Sequence, residues 1–249
     1  MTPALKLTGI EKRFGGIAAT QNVEMSLYAG ARHALIGPNG AGKTTLVNLI
    51  TGVHRPDSGR IFLAGHDVTN IPQHRRVRLG LVRSFQITNL FASFTVLENI
   101  ALAVAERENI GTSVRSARGF LTHIADEAYE IARRMRLGDV GLRKVTELAY
   151  GQQRLVELAI ALGHRPTVLL LDEPAAGLPG SDHAIVLEVL QELPKNVAVL
   201  LIEHDMALVF GFAQTITVLA EGAVIATGSS AEIRSDPQVR RVYLGKRSR

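Results

Sequence analysis

One short segment constrains the fold of this chain more than any other feature. Residues 37–44 read GPNGAGKT and match the pattern G-x-x-x-x-G-K-[ST]. An apolar run at residues 34–36 precedes the segment, and residues 46–50 after it have the pattern of an apolar helix. Glycines let backbone N–H groups surround phosphate oxygens, and the N-terminus of a helix adds partial positive charge. A strand, a glycine-rich loop and a helix in this order therefore predict a phosphate-binding loop.

Two side chains at the end of this loop have specific chemistry. In loops of this pattern the lysine, here Lys43, reaches the β- and γ-phosphates of a nucleotide, and the hydroxyl of Thr44 binds Mg²⁺. A glycine turn beside a surface lysine is the alternative interpretation. The apolar strand before the turn and the helix after it favour the phosphate loop.

Three further apolar runs end in groups that bind metals or transfer protons. The residues that follow these runs are Asp172 and Glu173, Glu203 and His204, and Gln86. In open parallel sheets, ligands bind beyond the carboxyl ends of the strands. We therefore expect these groups to converge on the same edge of the sheet as the phosphate loop.

The charges of these groups indicate a separate role for each in binding Mg²⁺ and in phosphoryl transfer. Asp172 would hold Mg²⁺, directly or through water, and Glu173 would be the general base for a water that attacks the γ-phosphate in line. His204 would donate to the γ-phosphate, and Gln86 would contact both Mg²⁺ and the attacking water. Taken alone, each group also fits a helix cap or a turn, so the prediction depends on their convergence.

The distribution of strand-like and helical runs predicts an α/β fold. The first ~30 residues alternate apolar and polar positions, as half-buried strands do. Residues 89–165 are rich in Ala, Glu, Arg and Leu at helical spacing, and continuous apolar runs then resume. Such runs, separated by helices, predict a mainly parallel sheet covered on both faces. We expect a core of residues 1–88 and 166–249 with a helical insert between them.

Composition excludes several classes of function. The chain has no Cys, which removes disulfides, iron–sulfur clusters, thiolate zinc sites and cysteine nucleophiles. Apolar runs never approach the ~20 residues that span a bilayer. The net charge of +5 and the basic clusters at residues 75–78 and 133–136 leave nucleic-acid association open. Solvated helix faces, or contact with anionic lipid headgroups, explain these clusters better.

A third segment, LAYGQQR at residues 148–154, precedes an apolar helix at residues 155–162. A glycine-containing turn that opens a helix is an anion-binding end, although a plain helix N-cap explains it equally well. With this segment included, the order of motifs resembles that of the ATP-binding cassette (ABC) ATPases over essentially the whole chain.

The resemblance implies a role for each motif. Residues 37–45 resemble the Walker A loop, Gln86 the Q-loop glutamine, residues 148–152 the signature, residues 168–173 the Walker B segment and His204 the switch histidine. Catalytic residues would be Glu173, His204, Gln86 and Lys43, and Mg²⁺ would be held by Thr44, Gln86 and Asp172. ATP would be bound by Phe14, which would stack on adenine, and by Gly37, Pro38, Asn39, Gly40, Ala41, Gly42, Lys43, Thr44 and Thr45. Ala149, Tyr150, Gly151 and Gln152 would contact the ATP of a partner cassette.

The resemblance also implies an architecture and a set of partners. It implies a single domain over residues 1–249 with a P-loop NTPase core of ABC type, an N-terminal antiparallel β subdomain and a helical subdomain insert. The partners would be a second cassette, two membrane-spanning permease subunits and an extracytoplasmic substrate-binding protein, with no specific nucleic acid. The chain would then lie at the inner face of the plasma membrane.

Several segments resemble the ATP-binding subunits of branched-chain amino-acid importers in particular. These are LAYG at residues 148–151, DEPAAGL at residues 172–178, LIEHDM at residues 201–206, and the ending at residues 236–245. The same ATP site would serve lipid or lipopolysaccharide extraction, or transport of urea or short amides. A nucleic-acid-associated ABC ATPase is a third possibility, but such proteins tend to carry two cassettes in one chain or a long coiled coil.

Two positions depart from the general pattern of the family. Ala149 replaces the usual signature serine, and one hydrogen bond to a charged group is worth about 1.5–3 kcal/mol. This alanine is usual among branched-chain-type subunits, so it indicates subtype rather than inactivation. Pro179 stands where an aspartate commonly follows the Walker B segment, and it offers neither an N–H nor a polar side chain.

Overall fold

The computed structural model describes residues 2–84, 90–108 and 117–244, with no account of the side chains of residues 117–120, 181–182 and 244. Gln86 therefore lies outside the described residues. The chain forms two compact units. The first comprises Met1–Arg83, Thr167–Glu173 and Pro194–Arg249, and the second comprises Ser84–Pro166 and Pro174–Leu193.

The described residues form both strands and helices. The strands are β1 (Leu5–Phe14), β2 (Ile17–Leu27), β3 (Arg32–Ile36), β4 (Ser58–Leu63), β5 (His66–Asp67), β6 (Leu81–Ser84), β7 (Val168–Asp172), β8 (Ala198–Ile202), β9 (Thr215–Ala220) and β10 (Ala223–Gly228). The helices are α1 (Lys43–Thr51), α2 (Gln73–Arg78), α3 (Val96–Arg107), α4 (Ala117–Arg134), α5 (Tyr150–Gly163), α6 (Gly180–Gln191), α7 (Met206–Phe212), α8 (Ser230–Ser235) and α9 (Pro237–Leu244). No helix in this part of the chain combines the length and the apolarity needed to span a lipid bilayer.

The first unit contains two sheets. One is antiparallel, with strand order β2-β1-β4-β5. The other has the order β10-β9-β3-β8-β7-β6, in which β3 pairs in parallel with β8 and β9, and β7 pairs in parallel with β8. Every residue of β7 and β8 is buried, because parallel strands are covered on both faces. The predicted α/β fold with a mainly parallel sheet and an N-terminal antiparallel sheet is confirmed.

One apolar core joins the two sheets of this unit to α1. Its fully buried members come from the antiparallel strands, from α1 and from the parallel strands, and include Leu5, Leu27, Leu46, Ile50, Leu170 and Leu200. Each such side chain contributes about 1.5–3 kcal/mol relative to an exposed one. The core therefore fixes α1, and with it the loop that precedes α1, against the parallel sheet.

The second unit is helical in its described residues. The N-cap of α3 is Thr95, whose hydroxyl accepts from the Glu98 amide while the Glu98 carboxylate accepts from the Thr95 amide. Such a capping box satisfies two of the orphan N–H groups at a helix start. The basic cluster at residues 133–136 also makes ion pairs here, in which Arg136 contacts Glu188 at 2.6 Å and Glu192 at 3.0 Å.

Arg76 in α2 does not lie on the solvated face expected for residues 75–78, because it is only 1% exposed. Its guanidinium donates to the carbonyl oxygens of Leu49 (2.8 Å), Ile50 (2.6 Å), Ile71 (2.7 Å) and Thr69 (3.0 Å). Burial lowers the pKa of Arg76 to about 10. Two of the acceptors belong to the last turn of α1, where a cation also complements the helix dipole.

We expect Arg76→Met to lower the free energy of unfolding by about 3 kcal/mol or more, because it removes four hydrogen bonds from a buried cation to carbonyl groups, two of them buried. Arg75→Met is the matched control, since Arg75 is exposed on the same helix and its replacement should change stability by less than about 0.5 kcal/mol. Urea unfolding followed by circular dichroism measures both. Equal midpoints for the two variants would contradict this role of Arg76.

Candidate active site

The predicted loop at residues 37–42 connects β3 to α1. Gly40 and Gly42 have φ angles of 79° and 101°, a region that residues with a Cβ rarely adopt. Gly42 is the N-cap of α1, and a Cβ on it would collide with the carbonyl oxygen of Ala19 in β2. The loop is therefore pressed against β2 in a conformation that requires glycine.

The loop and the start of α1 line a cleft of about 710 Å³, a size typical of small-molecule sites. Seven predicted ATP-binding residues contribute to its wall: Asn39, Gly40, Ala41, Gly42, Lys43, Thr44 and Thr45. The first turn of α1 has no acidic residue and no side-chain cap. Its unsatisfied N–H groups and the positive end of the helix dipole are thus available to an anion in the cleft.

The ammonium group of Lys43 folds back onto its own loop. Its Nζ donates to the carbonyl oxygens of Gly37 at 2.6 Å and Pro38 at 3.1 Å. Burial lowers the pKa of Lys43, and the nearby carboxylates of Glu173 and Asp172 partly offset this effect. Lys43 is thus a cation held at the phosphate loop, and phosphate oxygens can replace the two carbonyl acceptors.

Glu173 lines the same cleft, immediately after β7. Its φ angle is 49°, a left-handed conformation that is uncommon for a residue other than glycine and is found most often at functional sites. The Glu173 amide donates to the Ile202 carbonyl at the end of β8, at 2.8 Å. Neighbouring parallel strands therefore hold this strained backbone in place.

His204 lies beside Glu173, as the sequence predicts. Its Nδ1 is 3.6 Å from a carboxylate oxygen of Glu173 and 3.5 Å from one of Glu203. The His204 side chain is 69% exposed, whereas that of Glu203 is 1% exposed. The same Glu203 oxygen accepts from the amides of His204 (2.8 Å) and Asp205 (3.1 Å). Glu203 thus fixes the turn that carries the imidazole.

Asp172, the last residue of β7, is tied to two other elements. Its carboxylate forms an ion pair with Arg83 of β6, and Arg83 also donates to the side-chain oxygen of Asn48 in α1 at 3.0 Å. The sequence analysis places Glu203 at this edge of the sheet without giving it a function of its own, and it does not predict a role for Arg83. The available signal for Arg83 was a charged residue inside the apolar run at residues 80–85.

Three of the predicted ATP-binding residues, Phe14, Gly37 and Pro38, are not among the residues that line the cleft. Phe14, at the end of β1, does not line the cleft, and its ring makes an edge-to-face contact with His54 at 5.6 Å. Its strand partner Ile17 lines the cleft instead. Gly37 and Pro38 precede the lining residues in the same loop, and their carbonyl oxygens accept from Nζ of Lys43.

The predicted signature residues lie in the second unit, at the start of α5. Ala149 is the N-cap, and its amide donates to the side-chain oxygen of Gln152 at 3.2 Å. Tyr150 and Gly151 occupy the first helical positions. The N-terminus of α5 thus offers N–H groups to an anion, as the sequence suggests.

A glycine-rich loop joins a buried parallel strand to a helix, a lysine and a glutamate line the same cleft, and a histidine lies beside that glutamate. This combination defines a P-loop ATPase of the α/β class. A family model described as ABC transporter matches residues 20–176, and one described as branched-chain amino acid ATP-binding cassette transporter matches residues 223–248. The chain therefore belongs to the ABC transporter family, as an ATP-binding, ATP-hydrolysing subunit of a transporter.

Curated relatives and a solved structure match along almost the whole chain. The chain is 39% identical to LivG of Escherichia coli K12, a high-affinity branched-chain amino acid transport ATP-binding protein, over 98% of both chains. It is 38% identical to BraF of Pseudomonas aeruginosa, with the same description and the same coverage. A crystal structure of an ATP-binding cassette of an ABC transporter in its ADP conformation superposes with a TM-score of 0.84 at 31% identity, covering 99% of this chain and 100% of that one.

We expect Gly42→Ala to weaken ATP binding about 10- to 100-fold, because a Cβ there displaces the loop and each lost bond to a phosphate is worth about 1.5–3 kcal/mol. Gly16→Ala is the matched control: the φ of Gly16 is not left-handed, and a Cβ on it meets nothing within 4 Å. Equilibrium titration with a fluorescent ATP analogue measures both variants. Wild-type affinity in Gly42→Ala would refute the assignment of this loop to phosphate binding.

Proposed function

We propose that this chain hydrolyses ATP to drive an importer of branched-chain or related hydrophobic amino acids. The observation that carries the hydrolysis is the position of Glu173 and His204 together beside the phosphate loop. The cargo is supported by the full-length similarity to LivG and BraF and by the family match at residues 223–248.

Glu173 is the proposed general base. Its side chain is 29% exposed, so water reaches the carboxylate. Its backbone amide is held by the hydrogen bond to the Ile202 carbonyl of β8. His204 is near enough to orient this carboxylate and to donate to the transferred phosphate. Phosphoryl transfer requires mainly positioning and electrostatic stabilisation, and Lys43 with the N-terminus of α1 supplies the positive charge.

We further propose that Mg²⁺ binds with the nucleotide. The chain offers the oxygen donors that this ion prefers: the Thr44 hydroxyl at the cleft and the buried Asp172 carboxylate, which is close enough to Lys43 to affect its pKa. Gln86 is a third proposed ligand and lies outside the described residues. When bound, Mg²⁺ would neutralise charge on the β- and γ-phosphate oxygens.

The remaining assignments of this proposal concern the assembly. Phe14 stacks on adenine, and Ala149, Tyr150, Gly151 and Gln152 contact the nucleotide of a second cassette. The chain works as one nucleotide-binding domain, with a core of residues 1–88 and 166–249 and a helical subdomain at residues 89–165. Two permease subunits and an extracytoplasmic binding protein complete the importer at the inner face of the membrane. The descriptions of LivG and BraF as branched-chain amino acid transport ATP-binding proteins support this arrangement.

We expect Glu173→Gln to reduce ATP turnover about 10²- to 10⁴-fold, because an amide does not accept the proton of the attacking water. ATP affinity should stay near the wild-type value. Glu221→Gln is the matched control, since Glu221 lines the same cleft from the turn between β9 and β10. Phosphate release and nucleotide titration are measured in parallel. Wild-type turnover in Glu173→Gln would exclude Glu173 as the base.

The cargo is tested with the assembled transporter. We expect a pull-down from detergent-solubilised membranes to recover two permease subunits, together with a second cassette where the dimer is mixed. Proteoliposomes containing this complex should take up leucine in an ATP-dependent manner when the binding protein is added. Uptake of urea, or extraction of lipid, without leucine uptake would overturn the cargo assignment and leave the ATPase assignment intact.

A further inference from the structure

Tyr150 makes a set of contacts that its place in the signature segment does not explain. Its hydroxyl donates to the Ala176 carbonyl at 3.3 Å and accepts from Nη2 of Arg154 at 2.6 Å. The Arg154 guanidinium also lies over the Tyr150 ring, 5.0 Å from its centroid. All of these groups belong to the second unit. The hydroxyl is therefore engaged on both sides within its own chain.

The Tyr150 ring also packs against the backbone of the loop that contains Ala176. Gly177 has a φ of 77°, and a Cβ on it would lie 3.3 Å from both Cε1 and the hydroxyl oxygen of Tyr150. The loop, residues 174–179, is closed by a bond from the Leu178 amide to the Ala175 carbonyl at 3.1 Å. A glycine or a small residue at position 150 could make none of these ring contacts.

Arg154 is itself held in place, so it orients the Tyr150 hydroxyl. Its Nη1 donates to Glu157 at 2.8 Å, and the side chains of Arg154 and Glu157 are only 11% and 10% exposed. A nearly buried guanidinium with a fixed partner has few alternative positions, because any other position would leave its charge uncompensated. The chain Glu157–Arg154–Tyr150–Ala176 is thus a continuous path of hydrogen bonds from α5 to the loop.

The loop at residues 174–179 follows Glu173 directly in the chain. From these contacts we infer that Tyr150 is a positioning residue, which holds the Ala176 carbonyl and the Gly177 backbone and so fixes the segment that leads out of Glu173. This inference rests on the proposed role of Glu173 as the general base. It links the signature segment of a chain to the catalytic carboxylate of that same chain.

The test is the steady-state ATPase activity of the assembled transporter with Tyr150→Phe, which keeps the ring and removes the hydroxyl. We expect kcat to fall about 2- to 10-fold, the value of one hydrogen bond, while KM for ATP stays unchanged. Tyr150→Ala also removes the ring and should lose more. Tyr129→Phe is the control, since Tyr129 is a similarly exposed tyrosine on α4. An increase in KM with an unchanged kcat would instead assign the Tyr150 hydroxyl to nucleotide contact.

Two further measurements separate this role from a general loss of structure. Arg154→Met should lower kcat as Tyr150→Phe does, and the double variant should be no worse than either single variant, because both act through one bond. Hydrogen exchange at residues 175–178 should rise in Tyr150→Phe and stay unchanged in Tyr129→Phe. Additive losses, or unchanged exchange in the loop, would overturn the inference. The proposed role of Glu173 as the general base is tested separately, because wild-type turnover in Glu173→Gln would contradict that role alone.

Discussion

The left-handed backbone at Gly42 is the constraint on which the site depends. It lets the loop lie against the Ala19 carbonyl of β2 and start α1 with its N–H groups turned to the cleft. The other end of α1 is fixed as firmly, because the buried Arg76 binds the carbonyls of its last turn. The cation stabilises the C-terminus of the helix, and the uncapped N-terminus favours an anion at its start. The backbone of the loop and of α1 thus provides affinity for phosphate independently of any side chain.

The parallel pairing of β7 with β8 brings the catalytic groups together. Asp172 aligns with Ile202 in that pairing, so the residues that follow each strand emerge side by side. The bond from the Glu173 amide to the Ile202 carbonyl extends the pairing by one residue and stabilises a backbone conformation that costs on the order of 1–3 kcal/mol. The buried carboxylate of Glu203 then fixes the turn that carries His204.

The sequence predicted the loop, the parallel sheet and the meeting of Glu173 with His204, because these follow from backbone rules: glycine content, continuous apolar runs and the common edge of parallel strands. It did not predict what the long arginine side chains contact. The sequence predicted a solvated face for Arg76, but Arg76 is buried, and two of the carbonyl groups that it contacts belong to α1, more than 20 residues earlier in the chain. The edge-to-face contact between the rings of Phe14 and His54 also joins residues far apart in the sequence, so no local pattern predicts it.

Glu173 is the last residue of its segment in the first unit, and Pro174 begins a segment of the second. The backbone before Glu173 is set by buried strands, whereas the backbone after it is set by a small loop whose fixed points are the Ala176 carbonyl and Gly177. The left-handed region allows a residue with a Cβ only a small range of φ and ψ. A shift in the backbone of either neighbouring residue therefore changes the direction of the Glu173 side chain. The orientation of the Glu173 carboxylate therefore depends on two sets of contacts. The first is the buried strand pairing that also positions the phosphate site, and the second is the small group of contacts made by Tyr150.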